Sequence, residues 1–322
     1  MASYNTIKGL KVKYLSSDPA GKEAGQVWYN STTGTLRVDG IIGIGTWASG
    51  GGLNSARTNG CSGGLQTAAL YAGGGSPGAV TELYNGTAWS TSSATMNTAR
   101  FGHRGAGTQT SYIMAGNDPS TAAESFNGSA WSNETAYPTS VSGIGAAGTD
   151  SAAVFFAGGT PITSTFYWNG SSWSDQSAAN QGGAANNGPL GAGQSDAVFL
   201  SSTELTGLQG RTQLWDGSSW TTSGTASTQG DSRSNMGTVG TSCVSAGGRT
   251  APTGYSVACE AFNGTAWSAT GSLSSPKAAG GGAGTGAAGL AFGGNSSGSP
   301  DVTAITEEFT EATAATKTIT TS

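Results

Sequence analysis

The side chains of this chain that could take part in binding are mostly cationic, and they recur at similar places. Four cations follow a tryptophan by 10 to 13 residues, and two further basic residues lie beside the second of them. Loops at equivalent positions of a repeated structure emerge on one face, so we predict a cationic binding face. The alternative is that each cation only holds the carbonyl groups of its own loop. The six residues are Arg57, Arg100, His103, Arg104, Arg233 and Lys277.

Groups that catalyse reactions are scarce. A copper oxidase site needs two histidine ligands, and His103 is the only histidine. Glu307 and Glu308 are adjacent, so on a strand their carboxylates would point to opposite faces. We therefore predict a protein that is not an enzyme, with no catalytic residue, no organic cofactor and no transition-metal site. A Ca²⁺ ion held by loop oxygens is compatible with the sequence. A glycan-active hydrolase, which uses paired carboxylates, is the less favoured alternative.

The composition sets further limits. Only 10% of the 322 residues are charged, the net charge is −5, and no basic cluster is present, which argues against a nucleic-acid partner. No apolar run approaches the roughly 18 residues of a membrane helix, so we expect no membrane insertion. Cys61, Cys243 and Cys259 are too scattered for a disulfide framework or a zinc site, and we expect three buried thiols.

The elements that must position these residues repeat around tryptophan. A segment of the form aromatic–Asn/Asp–Gly–x–x–Trp occurs five times, with tryptophan spacings of 42, 42, 47 and 47 residues, and a sixth tryptophan lies 42 residues upstream. A period in the forties predicts the blades of a β-propeller. We expect the repeat tryptophans to be equivalent, buried and packed between neighbouring blades. They are Trp47, Trp89, Trp131, Trp173, Trp220 and Trp267.

One repeat can be divided into four antiparallel strands. Residues 105–110 are small and suit an innermost strand, and residues 111–116 form a short apolar second strand that ends in glycine. A third strand at 124–126 leads into Asn127-Gly128, a pair that tolerates positive φ at both positions and predicts a hairpin turn. Trp131 then lies on the outer strand, which completes a propeller blade.

The number of blades depends on the N-terminal residues. Second-strand elements recur six times between residues 51 and 322, the last unit taking 316–320 as its outer strand. Residues 1–50 also contain four strand-like segments, with Trp47 on the fourth. We therefore predict an all-β, kelch-like propeller of seven four-stranded antiparallel blades. The alternative has six blades plus an N-terminal β-hairpin arm, with Trp47 closing the ring.

The repeats resemble those of kelch proteins. The resemblance covers roughly residues 50–311 and rests on a Gly-Gly pair after an apolar strand, followed by the aromatic residue and the tryptophan. It is a loose resemblance, because Leu200-Ser201-Ser202 lacks the glycine pair. What it implies is the propeller fold, which hosts both binding proteins and enzymes.

A second resemblance concerns the N-terminus. Residues 25–38, which begin Gly-Gln-Val-Trp-Tyr-Asn-Ser, are similar to a stretch near the start of many tailed-phage tail and fibre proteins. The whole arrangement, including Glu307-Glu308-Phe309, resembles kelch-like virion proteins of marine phages that infect cyanobacteria. The resemblance implies a virion structural protein of the tail or its fibres, assembled in the bacterial host cytoplasm and present in several copies.

This resemblance leaves three roles open. The first is assembly together with recognition of host-surface polysaccharide, through variable loops such as 75–78 and 203–210. The second is capsid decoration or assembly without a host ligand, and the third is the hydrolase.

The N-terminal 24 residues hold four of the six lysines, Lys8, Lys11, Lys13 and Lys22. We predict that residues 1–50 are a virion-docking segment in which these lysines contact another virion protein or an adjacent copy of the chain, and in which 27–38 form a hairpin. The alternative is an ordinary first blade with solvated lysines.

Overall fold

The computed structural model describes residues 12–20, 26–41, 44–75, 78–116, 120–141, 143–156, 158, 163–180, 190–200, 210–227, 231–250, 254–296 and 302–319. Every regular element in these ranges is a β-strand, and none of them contains a helix that could span a membrane. The chain divides into two compact units, Met1–Gly45 with Glu311–Ser322 and Thr46–Thr310. The predicted division at residue 50 lies close to the first boundary, after Gly45. The second boundary, after Thr310, was not predicted, and it arises because the C-terminal strand pairs with the N-terminal residues.

The larger unit contains six four-stranded antiparallel sheets, named here blades 1 to 6 and given from the innermost strand outwards. Blade 1 is β5 (Cys61–Leu65), β6 (Ala68–Ala72), β7 (Thr81–Tyr84) and β8 (Trp89–Thr91). Blade 2 is β9 (Arg104–Thr108), β10 (Ser111–Ala115), β11 (Ala123–Phe126) and β12 (Trp131–Glu134). Blade 3 is β13 (Gly145–Thr149), β14 (Ala152–Phe156), β15 (Thr165–Trp168) and β16 (Trp173–Gln176).

The remaining blades follow the same order. Blade 4 is β17 (Gly191–Gly193), β18 (Asp196–Leu200), β19 (Thr212–Trp215) and β20 (Trp220–Thr222). Blade 5 is β21 (Ser234–Val239), β22 (Ser242–Ala246), β25 (Cys259–Phe262) and β26 (Trp267–Ala269), with the hairpin β23 (Arg249–Thr250) and β24 (Gly254–Tyr255) inserted after β22. Blade 6 is β27 (Gly281–Gly284), β28 (Ala288–Phe292), β29 (Thr306–Thr310) and β4 (Thr46–Gly50).

The six innermost strands close a ring. They adjoin one another in chain order, and β27 of blade 6 returns to β5 of blade 1. At this closure the Ser62 hydroxyl donates to the Gly282 carbonyl at 2.9 Å, and the Gly282 N–H donates back to Ser62 Oγ at 3.1 Å. The outer strand of blade 6 is β4, so a strand from the start of the unit completes the last blade.

The smaller unit contains one further four-stranded sheet, in the order β1 (Lys13–Leu15), β2 (Val27–Asn30), β3 (Thr35–Ile41) and β30 (Ala314–Thr318). The predicted hairpin is confirmed, with Val27 opposite Val38, whereas β1 pairs with β2 in parallel. Asp18 accepts hydrogen bonds from Asn30, the buried Trp28 and Arg37, and the bonds from Asn30 and Trp28 lead the interactions that lower the pKa of Asp18.

The structure therefore has the seven predicted four-stranded sheets, and six of them form the ring. The predicted partners of two outer strands are wrong: Trp47 was assigned to the N-terminal sheet and 316–320 to the last repeat, and the structure exchanges them. The reason is the cross-strand aromatic pair. Trp47 lies opposite Phe309 as Trp131 lies opposite Phe126, but no Asn-Gly turn joins the first pair in the sequence. In the alternative that the sequence left open, Trp47 closes a ring of six blades, and the larger unit has this arrangement.

The Asn-Gly turns form, but without the positive φ at both positions that the sequence predicted. Only the glycine has positive φ, between 91° and 96° in the five turns. The preceding side chain instead accepts backbone N–H groups: Asn85 Oδ1 accepts from Thr87 at 3.0 Å and Ala88 at 2.9 Å. Asp216 accepts the same bonds in blade 4, and those from Ser219 and Ser218 lower its pKa to about 2. A carboxylate therefore serves there as well as an amide.

The repeat tryptophans connect neighbouring blades. Trp131 Nε1 donates at 2.9 Å to the Oγ1 atom of Thr81, the first residue of the third strand of blade 1. The same bond joins Trp89 to Thr306, Trp220 to Thr165 and Trp267 to Thr212. Where the preceding blade has Ala123 or Cys259 at this place, Trp173 and Trp47 donate to backbone carbonyls. The tryptophans are equivalent as predicted, but only Trp89, Trp131 and Trp220 are buried, whereas Trp47, Trp173 and Trp267 are half-buried.

Candidate functional site

The predicted cationic face does not exist, because all six of its residues are buried. Four of them form ion pairs with glutamates in the interior. Arg233 Nη1 lies 3.1 Å from Glu260 Oε2, and Lys277 Nζ lies 3.0 Å from Glu307 Oε1. The other two pairs are Arg57 with Glu82 and Arg100 with Glu124. These cations stabilise the ring and are unavailable to a ligand.

Each ion pair holds an inter-blade loop in place. Glu82 accepts the N–H groups of Asn54 at 2.7 Å and Ser55 at 3.2 Å, in the loop that leads into blade 1. Arg57 donates to the carbonyls of Ser55 and Tyr71, which is in part the alternative that the sequence offered. The Arg57 carbonyl accepts from Gly294 of blade 6 at 3.0 Å, so the arginine joins two blades.

The glutamates escaped the sequence prediction although a signal was present. In four repeats a glutamate stands two residues before the repeat aromatic, as in Glu124 and Phe126, and these are the repeats that have a cation. Blade 3 has Phe166 at this place, in an apolar cluster with Val141. Blade 4 has Gln213, whose Oε1 atom accepts the Asn180 N–H at 2.8 Å. The cation and the glutamate therefore occur together.

His103 and Arg104 also lie in the interior. Burial holds the pKa of His103 well below its usual value, and the charges of Arg100 and Arg104 add to this effect. Burial likewise lowers the pKa of Arg104 to about 10, and Arg104 Nη1 donates to the His103 carbonyl at 2.9 Å. The imidazole packs so closely against Gly73 that a Cβ atom there would lie 2.5 Å from His103 Cε1.

A different feature marks one mouth of the ring. The second residue before the first strand of a blade has a left-handed backbone in the five blades where it is described, and these residues are called the mouth ring. In blades 1, 2, 3 and 6 its N–H donates to the carbonyl of the mouth-ring residue in the preceding blade, at distances from 2.7 to 3.4 Å. The mouth ring is Asn59, Gly102, Gly143, Ser232 and Ala279.

Glycine is the residue expected in such a backbone, because a side chain there costs about 1–2 kcal/mol. Blades 2 and 3 follow this expectation with Gly102 and Gly143. Asn59, Ser232 and Ala279 do not, although their φ angles lie between 56° and 58°; asparagine tolerates this conformation better than serine or alanine. Within the described ranges they are the only non-glycine residues with positive φ. Strained backbone of this kind clusters at binding sites.

All three strained residues line one cavity of about 310 Å³, called here the mouth cavity. It lies over blades 5, 6 and 1. Ala278 lines it beside Ala279, and Asn295 contributes from the loop after β28. Arg249 and Tyr255 contribute from the inserted β23–β24 hairpin. The volume is at the lower end of the roughly 300–1,000 Å³ that is usual for small-ligand sites.

The charge in the mouth cavity is balanced. Arg249 Nε and Nη2 donate to the two carboxylate oxygens of Asp231 at 3.1 and 2.6 Å. The Arg249 side chain is 49% exposed and that of Asp231 11%. The pair therefore leaves one planar guanidinium accessible from outside without a net charge in the cavity.

Several polar groups of the cavity have hydrogen-bonding capacity to spare. The Ser232 hydroxyl, the Tyr255 hydroxyl and the Asn295 amide make no hydrogen bond to any other residue that the structure describes. The backbone beneath them is satisfied, because Ala278 and Asn295 exchange two hydrogen bonds at 3.0 and 2.7 Å. The cavity thus offers neutral donors and acceptors around a small apolar floor.

Sequence reasoning missed the mouth cavity. Its residues come from unequal positions of three repeats, and the β23–β24 hairpin is an insertion that only blade 5 has among the described elements. The available signal was the replacement of a repeat glycine, as in Ala279 against Gly102.

Metal-binding residues do not cluster in the described ranges, where no group of three or more His, Cys, Asp and Glu side chains comes together. The three cysteines are free and buried, as predicted. Burial raises the pKa of Cys61 and Cys243 to about 12 and that of Cys259 to about 11.

Comparison with known proteins identifies the fold. No protein-family model and no curated protein sequence matches the chain. Among solved structures, that of YjhT superposes with a TM-score of 0.66 at 12% sequence identity, over 83% of this chain and 99% of YjhT. The likeness in fold and the closed ring of four-stranded blades show that the chain is all-β and contains a β-propeller.

Proposed function

We propose that this protein is a non-enzymatic structural component of a phage virion, located in the tail or its fibres, whose propeller recognises carbohydrate on the host surface. The virion role is supported by the similarity of residues 25–38 to the start of phage tail and fibre proteins. The observation that carries recognition is the mouth cavity, with unused polar groups on strained backbone. Such a backbone is maintained at a cost in stability, which favours a binding role.

Binding without turnover fits the lining of the cavity. Glycoside hydrolysis uses two carboxylates on either side of the scissile bond. The described lining has only Asp231 behind it, and Arg249 occupies both of its oxygens. The cavity therefore supports recognition better than it supports acid–base chemistry.

The smaller unit is the proposed contact with other virion proteins. Lys13 is exposed on β1, whereas Lys8, Lys11 and Lys22 lie outside the described residues. Several copies per particle would multiply weak carbohydrate contacts into firm attachment.

Labelling of particles tests the proposed function. Antibodies against the chain, viewed by electron microscopy on the phage that encodes it, should label the tail or its fibres. Labelling of the head would favour capsid decoration, and unlabelled particles would contradict a virion role. In parallel, incubation of the purified chain with host polysaccharide should release no reducing ends above a boiled control, and release would favour the hydrolase.

A further inference from the structure

The position of the strained residues is the starting point. The mouth ring has the same backbone in every blade where it is described, so glycine would serve at each place without strain. Among the described mouth-ring residues, side chains replace glycine at Asn59, Ser232 and Ala279, and these three line the mouth cavity. The strain and the cavity therefore occupy the same half of the ring.

We propose that the mouth cavity binds one neutral sugar unit of a polysaccharide and that Asn59, Ser232 and Ala279 are retained because their side chains meet this sugar. The inference rests on the proposed function, to which it adds a site and a ligand class.

The size and polarity of the cavity point to a sugar. A volume of about 310 Å³ lies at the lower end of the range for small-ligand sites, which favours a single sugar unit over a longer segment of the polysaccharide. Hydroxyl groups need donors and acceptors in close alternation, which Ser232, Tyr255 and Asn295 provide. The half-buried Tyr255 ring offers apolar surface for the C–H groups of the sugar, and the buried Ala278 and Ala279 form the floor beside it.

The charge balance selects a neutral sugar. A carboxylate or sulfate ligand would have to compete with Asp231, which already holds Arg249 through two hydrogen bonds. The buried cations of the ring cannot take its place, because Arg57, Arg233 and Lys277 are paired with glutamates. An acidic sugar would therefore meet an ion pair that has no net charge and would have to draw Arg249 away from Asp231.

Saturation-transfer NMR on the purified full chain tests this inference. The neutral probes are glucose, galactose, mannose and N-acetylglucosamine, and the acidic probes are glucuronic acid and N-acetylneuraminic acid. We expect saturable binding of at least one neutral sugar and weaker binding of both acids. Tyr255→Phe and Asn295→Ala should each raise Kd about three- to tenfold, the effect of one lost hydrogen bond.

Exchanges in the mouth ring provide the sharper test. Ser232→Gly removes a ligand contact and relieves the backbone, so it should raise both Kd and Tm. Ser232→Ala should raise Kd and leave Tm nearly unchanged. The matched control, Gly102→Ala, introduces strain outside the cavity and should lower Tm without changing Kd.

Three results would overturn the inference: no saturable binding of any neutral probe, tighter binding of an acidic probe, or unchanged Kd in Ser232→Gly and Asn295→Ala. The measurement uses the purified chain and particle labelling uses the virion, so the inference and the proposed function can fail separately.

Discussion

Thr81 and its counterparts at the first position of the third strand each satisfy the indole N–H of the next blade. Thr81 is fully buried and accepts from Trp131 at 2.9 Å. Where Ala123 or Cys259 takes the place of the threonine, the indole N–H of the next blade donates to a backbone carbonyl instead. The hydrogen bond from the indole to the threonine hydroxyl is therefore present at some blade interfaces and absent from others. Where it is present, removal of the hydroxyl leaves the indole N–H buried without an acceptor.

Replacement of Thr81 by valine should destabilise the protein by about 1–3 kcal/mol, the cost of an unsatisfied buried donor. The valine keeps the shape of the side chain, so packing changes little. Urea unfolding followed by tryptophan fluorescence measures the effect, with Thr110→Val on an exposed turn as the control. Equal loss in both variants would show that the hydrogen bond contributes nothing specific.

His103 should make stability depend on pH. Burial lowers its pKa in the folded state, so the unfolded chain binds a proton that the folded chain does not. Stability should be constant above about pH 6.5 and fall as the pH drops below it, by at most about 1.4 kcal/mol per pH unit. Urea unfolding between pH 7.5 and 5 checks this prediction. His103→Gln should flatten the dependence, and an unchanged slope in that variant would assign it to other groups.

Sequence prediction at the scale of residues succeeded for the tryptophans and failed for the cations. The tryptophan follows a fixed turn, so its environment repeats with it. Arg57 and its counterparts looked like surface residues because their partners, such as Glu82, lie on another strand about 25 residues away. The sequence indicates this pairing only through the fact that the cation and the glutamate occur in the same repeats.

The blade is the element that the ion pairs support. Glu124 accepts the N–H groups of Asn97 at 2.8 Å and Thr98 at 3.1 Å besides pairing with Arg100. In blade 4 Gln213 accepts the loop N–H group in place of a glutamate. The segment that leads into this blade, residues 174–190, contains no arginine or lysine. A neutral blade is therefore compatible with the fold.

A double-mutant cycle at Arg100 and Glu124 follows from this comparison. Glu124→Gln alone leaves a buried guanidinium without its counter-charge and should cost about 3–5 kcal/mol. Arg100→Met with Glu124→Gln should cost clearly less than the two single changes added together. Chemical unfolding of the four proteins measures the coupling. Additive losses would mean that the pair is not an energetic unit.

Elements could be predicted where the chain is locally continuous. The second, third and fourth strands of a blade follow one another closely in the sequence, so the local pattern of residues 111–131 was enough to predict how they pair. Blade 6 takes its outer strand from residues 46–50, and no local pattern links these to β29. The mouth cavity is harder still to predict from the sequence, because its lining consists of residues at which three blades differ from the repeat pattern.

At the scale of the whole molecule, the larger unit is a ring that strand β4 closes. Trp47 on this strand packs against Phe309, with ring centroids 5.1 Å apart. Without β4, the edge of β29 would be left without its partner strand.

A fragment of residues 46–310 should therefore fold cooperatively, whereas 51–310 should be less stable by more than about 3 kcal/mol, the loss expected for Trp47 alone. Thermal unfolding of both fragments tests the closure. Equal stability would mean that β4 does not complete the ring.

Recognition of the host by the mouth cavity is tested most directly by competition for adsorption. The purified full chain is added to host cells before the phage that encodes it, and the unadsorbed particles are counted. We expect the natural chain to reduce adsorption in proportion to its concentration. A chain with Tyr255→Phe and Asn295→Ala, folded to the same Tm, should compete at least about tenfold less well. Equal competition by both chains, or competition by neither, would contradict host recognition through the mouth cavity.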